Sequence, residues 1–121
     1  MSIRDELQGV YDAYGTAYRS KDAAGCAAVF TENGAVYSPY SPPAIGREAV
    51  EALHREWTGL GGEDKRLTVI DAGSSGDLAW CLIAYSDAHD AGTSLNVCER
   101  QADGAWLIRL CSLNEDKPQA D

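Results

Sequence analysis

The run Val29-Phe30-Thr31-Glu32-Asn33-Gly34-Ala35-Val36-Tyr37-Ser38-Pro39-Tyr40-Ser41-Pro42-Pro43-Ala44-Ile45-Gly46 decides how the rest of the chain is read. A helix runs into it, Asn33-Gly34 gives a turn signal, and Ala35 to Ser38 is β-prone. Three prolines then fall within the five residues from Pro39 to Pro43. Proline fixes φ and lacks an N–H, so this stretch cannot be a central strand. It is expected to be an ordered flap between two packed elements, where a pocket mouth would need one.

Upstream of the flap, Ser2 is a plausible N-cap with Asp5 as a weak capping-box partner. Ile3, Leu7, Val10, Tyr11, Tyr14, Ala17 and Tyr18 then recur at helical spacing on one face. Buried tyrosine hydroxyls need partners, so three tyrosines on that face carry more than packing. Asp22 can cap a short Ala-rich helix from Ala23 to Phe30. Downstream, Gly46 precedes a third helix with Val50, Leu53 and Trp57 as its apolar stripe, ended by Gly59, Gly61 and Gly62. His54 sits at the edge of that stripe and reads as a half-buried surface residue before it reads as a catalyst.

From Lys65 the period changes to that of strands. Lys65 to Ala72, Leu78 to Ala88, Thr93 to Gln101 and Ala105 to Leu113 are the runs, separated by Ser74-Ser75-Gly76-Asp77, Asp90-Ala91-Gly92 and Asp103-Gly104. Helices first and strands afterwards predict an α+β fold, a curved antiparallel sheet with three N-terminal helices on one face.

The length of 121 residues predicts one domain, 1–121, with a polar tail over 115–121 that frays. A formal net charge of −9 without Lys/Arg clusters argues against nucleic acid and against a polybasic membrane contact. No apolar run reaches transmembrane length and the N-terminus lacks a signal-peptide core, so a cytoplasmic protein is expected. Cys26, Cys81, Cys98 and Cys111 contain no C-x-x-C pair, so neither a metal nor another cofactor is expected. They read as small apolar fillers, with a reactive thiol or a disulfide as the alternative.

With this element order, the segments "TENGAVYSP", "IGREAV" and "ERQADGAWLIRLCSLNED" make the chain resemble the nuclear-transport-factor-2-like superfamily, from about Leu7 to Glu115. That group includes ketosteroid isomerases and polyketide cyclase-like (SnoaL-like) proteins. The ending looks most like that of the bacterial SnoaL-like proteins. The resemblance implies a cone-shaped sheet with the helices on its concave face, a pocket inside the cone, and homodimers through the outer sheet face.

The ketosteroid isomerase comparison runs through four positions. The family's proton-donating tyrosine stands eight residues before the aspartate that caps the second helix, which falls on Tyr14 before Asp22. Its second oxyanion donor, eight residues before the glycine of the last hairpin, falls on Asn96 before Gly104. Its general base, an aspartate directly before a proline, is here Ser38 before Pro39. A lone serine hydroxyl is no base for abstracting a proton beside a carbonyl, which argues against steroid isomerase activity. His54 and Asp87 remain as weak candidates for the base. Tyr14 reads equally as a core tyrosine bonded to a carbonyl.

Strand alternation adds the rest. If Asn96 points inward, so do Ser94 and Cys98, and the same count puts Leu107, Arg109, Cys111 and Leu113 on the pocket face. An inward Arg109 would need Asp87 as a partner, or a bound carboxylate or enolate. A slip of one residue would instead make it a solvated sheet residue. Tyr18, Tyr40 and Trp57 would line the wall. The face away from the helices would carry Trp80 or Cys81, Ile83, Tyr85 and part of Trp106, Ile108 and Leu110, too much apolar surface for water. The expected function is therefore a small-molecule pocket that binds, isomerises or cyclises an apolar oxygenated compound. The alternative is a non-catalytic homodimeric association module.

Overall fold

In the computed structural model, which describes residues 1–116, Ser2 Oγ accepts from the Asp5 N–H at 3.2 Å and opens α1 (Ile3–Arg19). Leu7, Tyr11, Tyr14, Ala17 and Tyr18 form its buried stripe, the i, i+4, i+7 pattern of an amphipathic helix. Asp22 caps α2 (Ala23–Ala28) through the Gly25 N–H. This helix ends earlier than its sequence suggests, because β1 (Phe30–Tyr37) begins directly after it. Asn33-Gly34 is therefore not a turn between helix and strand; it lies inside β1, where the pairing with the last strand jumps between Phe30 and Ala35. Gly34 is required there, since a Cβ would lie 3.0 Å from the Ile108 carbonyl and from Phe30.

The proline flap leads through the two-residue β2 (Ala44–Ile45) to α3 (Arg47–Gly59), whose N-cap Gly46 has φ 94°. Four strands follow: β3 (Arg66–Ser75), β4 (Leu78–Ser86), β5 (Ala91–Arg100) and β6 (Trp106–Glu115). The sheet order is β2-β1-β6-β5-β4-β3. All neighbours are antiparallel except β1 and β6, which run parallel. The expectation of a wholly antiparallel sheet is corrected at that pair. A parallel neighbour needs a long crossover, and everything from α3 to β5 supplies one. Residues 117–121, most of the tail expected to fray, lie outside the described residues, and Glu115 is still paired with Gly92.

Bulges bend the sheet into its cone. One falls between Val69 and Asp71 on β3, and one sets Arg109 of β6 outside the ladder, because Val97 pairs with Leu110 and Cys98 with Ile108. The helices fill the concave side, around Leu7, Phe30, Val50, Ile83 and Ile108. Side chains of α1 also reach the backbone of edge strand β3: Arg4 donates to the Val69 carbonyl, and Gln8 accepts from the Val69 N–H at 2.8 Å. Such bonds contribute about 1 kcal/mol each and cover an otherwise open edge.

Close approach at the wide end of the cone makes Gly92 irreplaceable. A Cβ there would run into the Asn114 carbonyl and lie 2.7 Å from the Tyr85 hydroxyl. Gly92→Ala is expected to destabilise by about 1–3 kcal/mol in urea unfolding. Gly9→Ala, on the exposed side of α1 with nothing near its Cβ, is expected to stabilise by about 0.5–1 kcal/mol. Equal effects at the two sites would contradict the close contact.

Candidate functional site

Two compartments occupy the cone. The inner one, about 30 Å³, is lined by Tyr11, Tyr14, Phe30, Val36, His54, Ser94, Asn96, Ile108 and Cys111. The outer one, about 180 Å³, is a vestibule lined by Tyr18, Tyr40, Ser41, Glu56, Leu60, Gly61, Gly62, Asp87, His89 and Asp90. Trp57, Lys65, Tyr85 and Leu113 belong to both and form the neck. The proline flap supplies Tyr40 and Ser41 to the mouth. Tyr40 is fixed by Tyr85, hydroxyl to hydroxyl at 2.8 Å, and Ser41 by the Trp57 indole N–H at 3.3 Å. Tyr85 donates onward to the Asn114 carbonyl, so Tyr40 is the donor between the two tyrosines.

His54 departs most from its sequence reading. It is fully buried, not half-exposed, and is ringed by Tyr14, Tyr18, Phe30 and Trp57 with centroids 5.3–6.2 Å away. Its Nδ1 lies 2.8 Å from the Val50 carbonyl, which can only accept, so Nδ1 carries the proton. Nε2 is then an acceptor, and Tyr14 donates to it at 2.6 Å. Burial brings the His54 pKa down to about 4, against the Val50 carbonyl, which favours the cation, and with the Lys65 charge. Burial likewise holds the Tyr14 phenol well above its ordinary range. Both groups are neutral at physiological pH.

This polarity bears directly on the isomerase comparison. The Tyr14 hydroxyl donates its hydrogen bond to His54. The Asn96 amide donates to the Ser94 carbonyl and hydroxyl at 3.2 and 3.0 Å. Both expected oxyanion donors are therefore occupied. What Asn96 leaves unpartnered among the described residues is Oδ1, an acceptor, in a side chain with no exposure. The amide orientation is fixed by the network, because the Ser94 carbonyl cannot donate. Neither side chain keeps a free donor, which an oxyanion hole needs.

Arg109 is not in the cone. The bulge on β6 reverses the alternation, so Ile108, Cys111 and Leu113 point inward while Arg109 joins Tyr37, Ile45, Val97 and Leu110 around a depression on the outer face. Leu107, expected inward, is displaced by the same slip, with Trp106 and Ile108 buried in its stead. Asp87 has no role as an Arg109 partner; it lies in the loop after β4, 3.8 Å from Lys65 Nζ. Ser38 lies past the end of β1, where its hydroxyl accepts from the Tyr40 N–H and folds the flap. Cys98 is buried under Tyr11, 3.7 Å from its hydroxyl, and lines neither compartment. Cys111 does line the inner one, its thiol pushed up to about 12 by burial. All four cysteines are free thiols.

The sequence reading gave Lys65 no role and set Tyr85, with Cys81 and Ile83, on the face away from the helices, whereas all three are buried and alternate with the exposed Leu78 and Trp80. Tyr85 was recoverable, since it continues the inward series Ala79, Cys81 and Ile83. Lys65 gives no sequence signal beyond its place at the head of a strand. Among the described residues, no group of three His, Cys, Asp or Glu side chains could hold a metal, and no helix is long and apolar enough to cross a membrane.

No protein-family model and no curated protein matches the chain. Solved structures do. A ketosteroid isomerase-like protein from Erwinia carotovora atroseptica superposes with a TM-score of 0.82 at 20% identity, over 95% of this chain and 97% of that one. An NTF2-like protein with a cystatin-like fold from Novosphingobium aromaticivorans gives 0.74 at 21%, over 97% and 84%. ActVI-ORFA from Streptomyces coelicolor gives 0.67 at 22%, over 93% and 96%. The chain has the cystatin-like fold of the nuclear-transport-factor-2-like proteins, and likeness at this level of identity speaks for the fold alone.

Proposed function

We propose that the cone is a binding site for a small, neutral, largely apolar compound that carries a hydroxyl group. The observation that carries this reading is the unpartnered Oδ1 of Asn96, a residue of the inner compartment's wall. A buried acceptor without a donor costs about 1–3 kcal/mol, and a ligand hydroxyl or a water would satisfy it. The inner volume of about 30 Å³ suits one polar end group or one water. The vestibule of about 180 Å³ is below the range of roughly 300–1,000 Å³ for drug-sized ligands and suits a single ring. Tyr14, Tyr18, Tyr40, Trp57 and Cys111 would contact the ligand, with Asn96 orienting it.

Charge at the mouth decides against an anion. Glu56, Asp87 and Asp90 face the vestibule against the single lysine, Lys65, so the field there disfavours a carboxylate. Proton transfer for isomerisation or cyclisation has one observation in its favour, the 2.6 Å Tyr14–His54 bond. The raised phenol and lowered imidazole both oppose that transfer at neutral pH, so binding is the better-supported role. Exposed apolar residues on the outer sheet face support a homodimer as the state in which the pocket works.

A thermal-shift panel tests the reading. Phenol and 4-methylphenol are expected to raise Tm by several degrees, and their O-methyl ethers by much less. Asn96→Leu should bring the phenol response down to that of the ethers. Equal responses to phenols and ethers would overturn the role of Asn96, and a flat panel would overturn the pocket.

A further inference from the structure

Lys65 is the one cation inside the cone among the described residues, and its surroundings are unusual for a lysine. The residue is 7% exposed. Its Nζ lies over the Tyr18 ring at 4.7 Å and the Tyr85 ring at 4.9 Å, at the neck between the two compartments. Its only carboxylate partner, Asp87, is at 3.8 Å, beyond hydrogen-bond length. The backbone around it is fixed. The Lys65 N–H bonds the Gly62 carbonyl at 3.1 Å, and the Lys65 carbonyl accepts from Arg19 at 2.8 Å. Gly62, at φ 96°, lies so close to the Tyr18 ring that any side chain there would strike it. A long amine is thus aimed along an aromatic passage by a rigid base.

We propose that Lys65 Nζ forms a reversible imine with a small neutral aldehyde or ketone held in this cavity. The inference rests on the pocket reading above and adds the chemical class of the ligand. The neutral amine adds to the carbonyl carbon, and the C=O π pair moves to oxygen, which takes up the proton released from nitrogen. The carbinolamine then loses water, so amine and carbonyl give imine and water with no oxidant or reductant consumed. Asp87, 3.8 Å from Nζ, is the nearest carboxylate and can pass the proton between nitrogen and oxygen through one water. Burial favours the neutral amine and outweighs Asp87 and Asp90, which favour the cation, so Lys65 lies below the ordinary lysine range. The three carboxylates of the mouth that disfavour an anionic ligand leave a neutral carbonyl compound unaffected.

The test uses 4-hydroxybenzaldehyde with sodium cyanoborohydride, followed by intact mass and peptide mapping, with 4-hydroxybenzyl alcohol as the matched non-carbonyl probe. The expected result is a single reduced adduct on Lys65, formed faster than on exposed Lys21. Lys65→Arg, which keeps a cation between the rings, should lose it. If that variant does not fold, suppression of Lys65 labelling by the alcohol in the wild-type protein gives the same information. Labelling of Lys21 and Lys65 at equal rates, or no adduct while the alcohol still raises Tm, would overturn the imine and leave the pocket standing. Failure of both aldehyde and alcohol to raise Tm would overturn the pocket as well.

Discussion

Between pH 7.5 and pH 5 the protein is expected to lose about 2 kcal/mol of folding free energy, nearly all of it through His54. The imidazole is fully buried, and burial brings its pKa from the ordinary 6.5 down to about 4. In the unfolded chain it takes up a proton as the pH drops through about 6.5. In the folded protein it stays neutral until about 4. Over that window the unfolded state binds more protons, so stability falls as pH falls, and the loss levels off below the folded value. Carboxylates do not explain such a slope. Asp87 feels its burial, but the N–H donors of His89 and Asp90 and the Lys65 charge outweigh it and hold the group low, so its contribution is lost only below the ordinary aspartate range. Urea unfolding at half-unit pH steps measures the effect. The double variant Tyr14→Phe/His54→Leu removes donor and acceptor together, which can be nearly neutral at pH 7.5, and should flatten the profile. His89→Gln should leave it unchanged. A profile that keeps its slope in the double variant would place the titrating group elsewhere.

The same pair marks where the sequence was legible and where it was not. Helical spacing on α1 gave the buried tyrosine stripe, and the glycines after Trp57 gave the end of α3, because these signals are local. The four strands of the meander were equally legible, since Asp103-Gly104 and Ser75-Gly76-Asp77 punctuate it where the turns fall, but the short β2 and the parallel β1–β6 pair were not. Nor was parity. Alternation holds only while each residue has one partner, and the bulge on β6 adds one residue, which turned Arg109 outward and Ile108 inward. Nothing in the tripeptide Ile108-Arg109-Leu110 announces that bulge. His54 was underrated for a related reason: an edge position on a helical wheel becomes a core position when a tyrosine from another helix closes over it. The direction of hydrogen bonds was the least legible feature. Tyr14 and Asn96 stand where an oxyanion hole would have its donors, yet their protons point to His54 and Ser94, a fact that depends on tertiary neighbours and not on residue type.

Trp80→Glu/Leu95→Glu is expected to convert a dimer into a folded monomer, raising the dissociation constant by at least about a hundredfold. The outer sheet face exposes Tyr37, Ile45, Ile70, Leu78, Trp80 and Leu95 at 42–59% each. Outward positions on β4 and β5 are Leu78, Trp80, Leu82 and Ala84 beside Thr93, Leu95, Val97 and Glu99. Only Glu99 there is acidic, although the chain has 19 acidic residues. A chain of this charge that leaves only Glu99 among the outward acids of β4 and β5 has a strip there suited to a second apolar surface, and a second copy provides an identical one. A stable interface needs about 800 Å² from each partner. Trp80 is the natural anchor, because its indole packs against Gly73 of β3, where a Cβ would strike it, and stays largely exposed. Two glutamates at this centre would be desolvated without partners, at about 2 kcal/mol or more each. Sedimentation across a concentration series gives the answer, with the His54 pH profile as proof that the variant retains its cone. Wild-type protein that remains monomeric at every concentration would show that the face is covered by something other than a second copy.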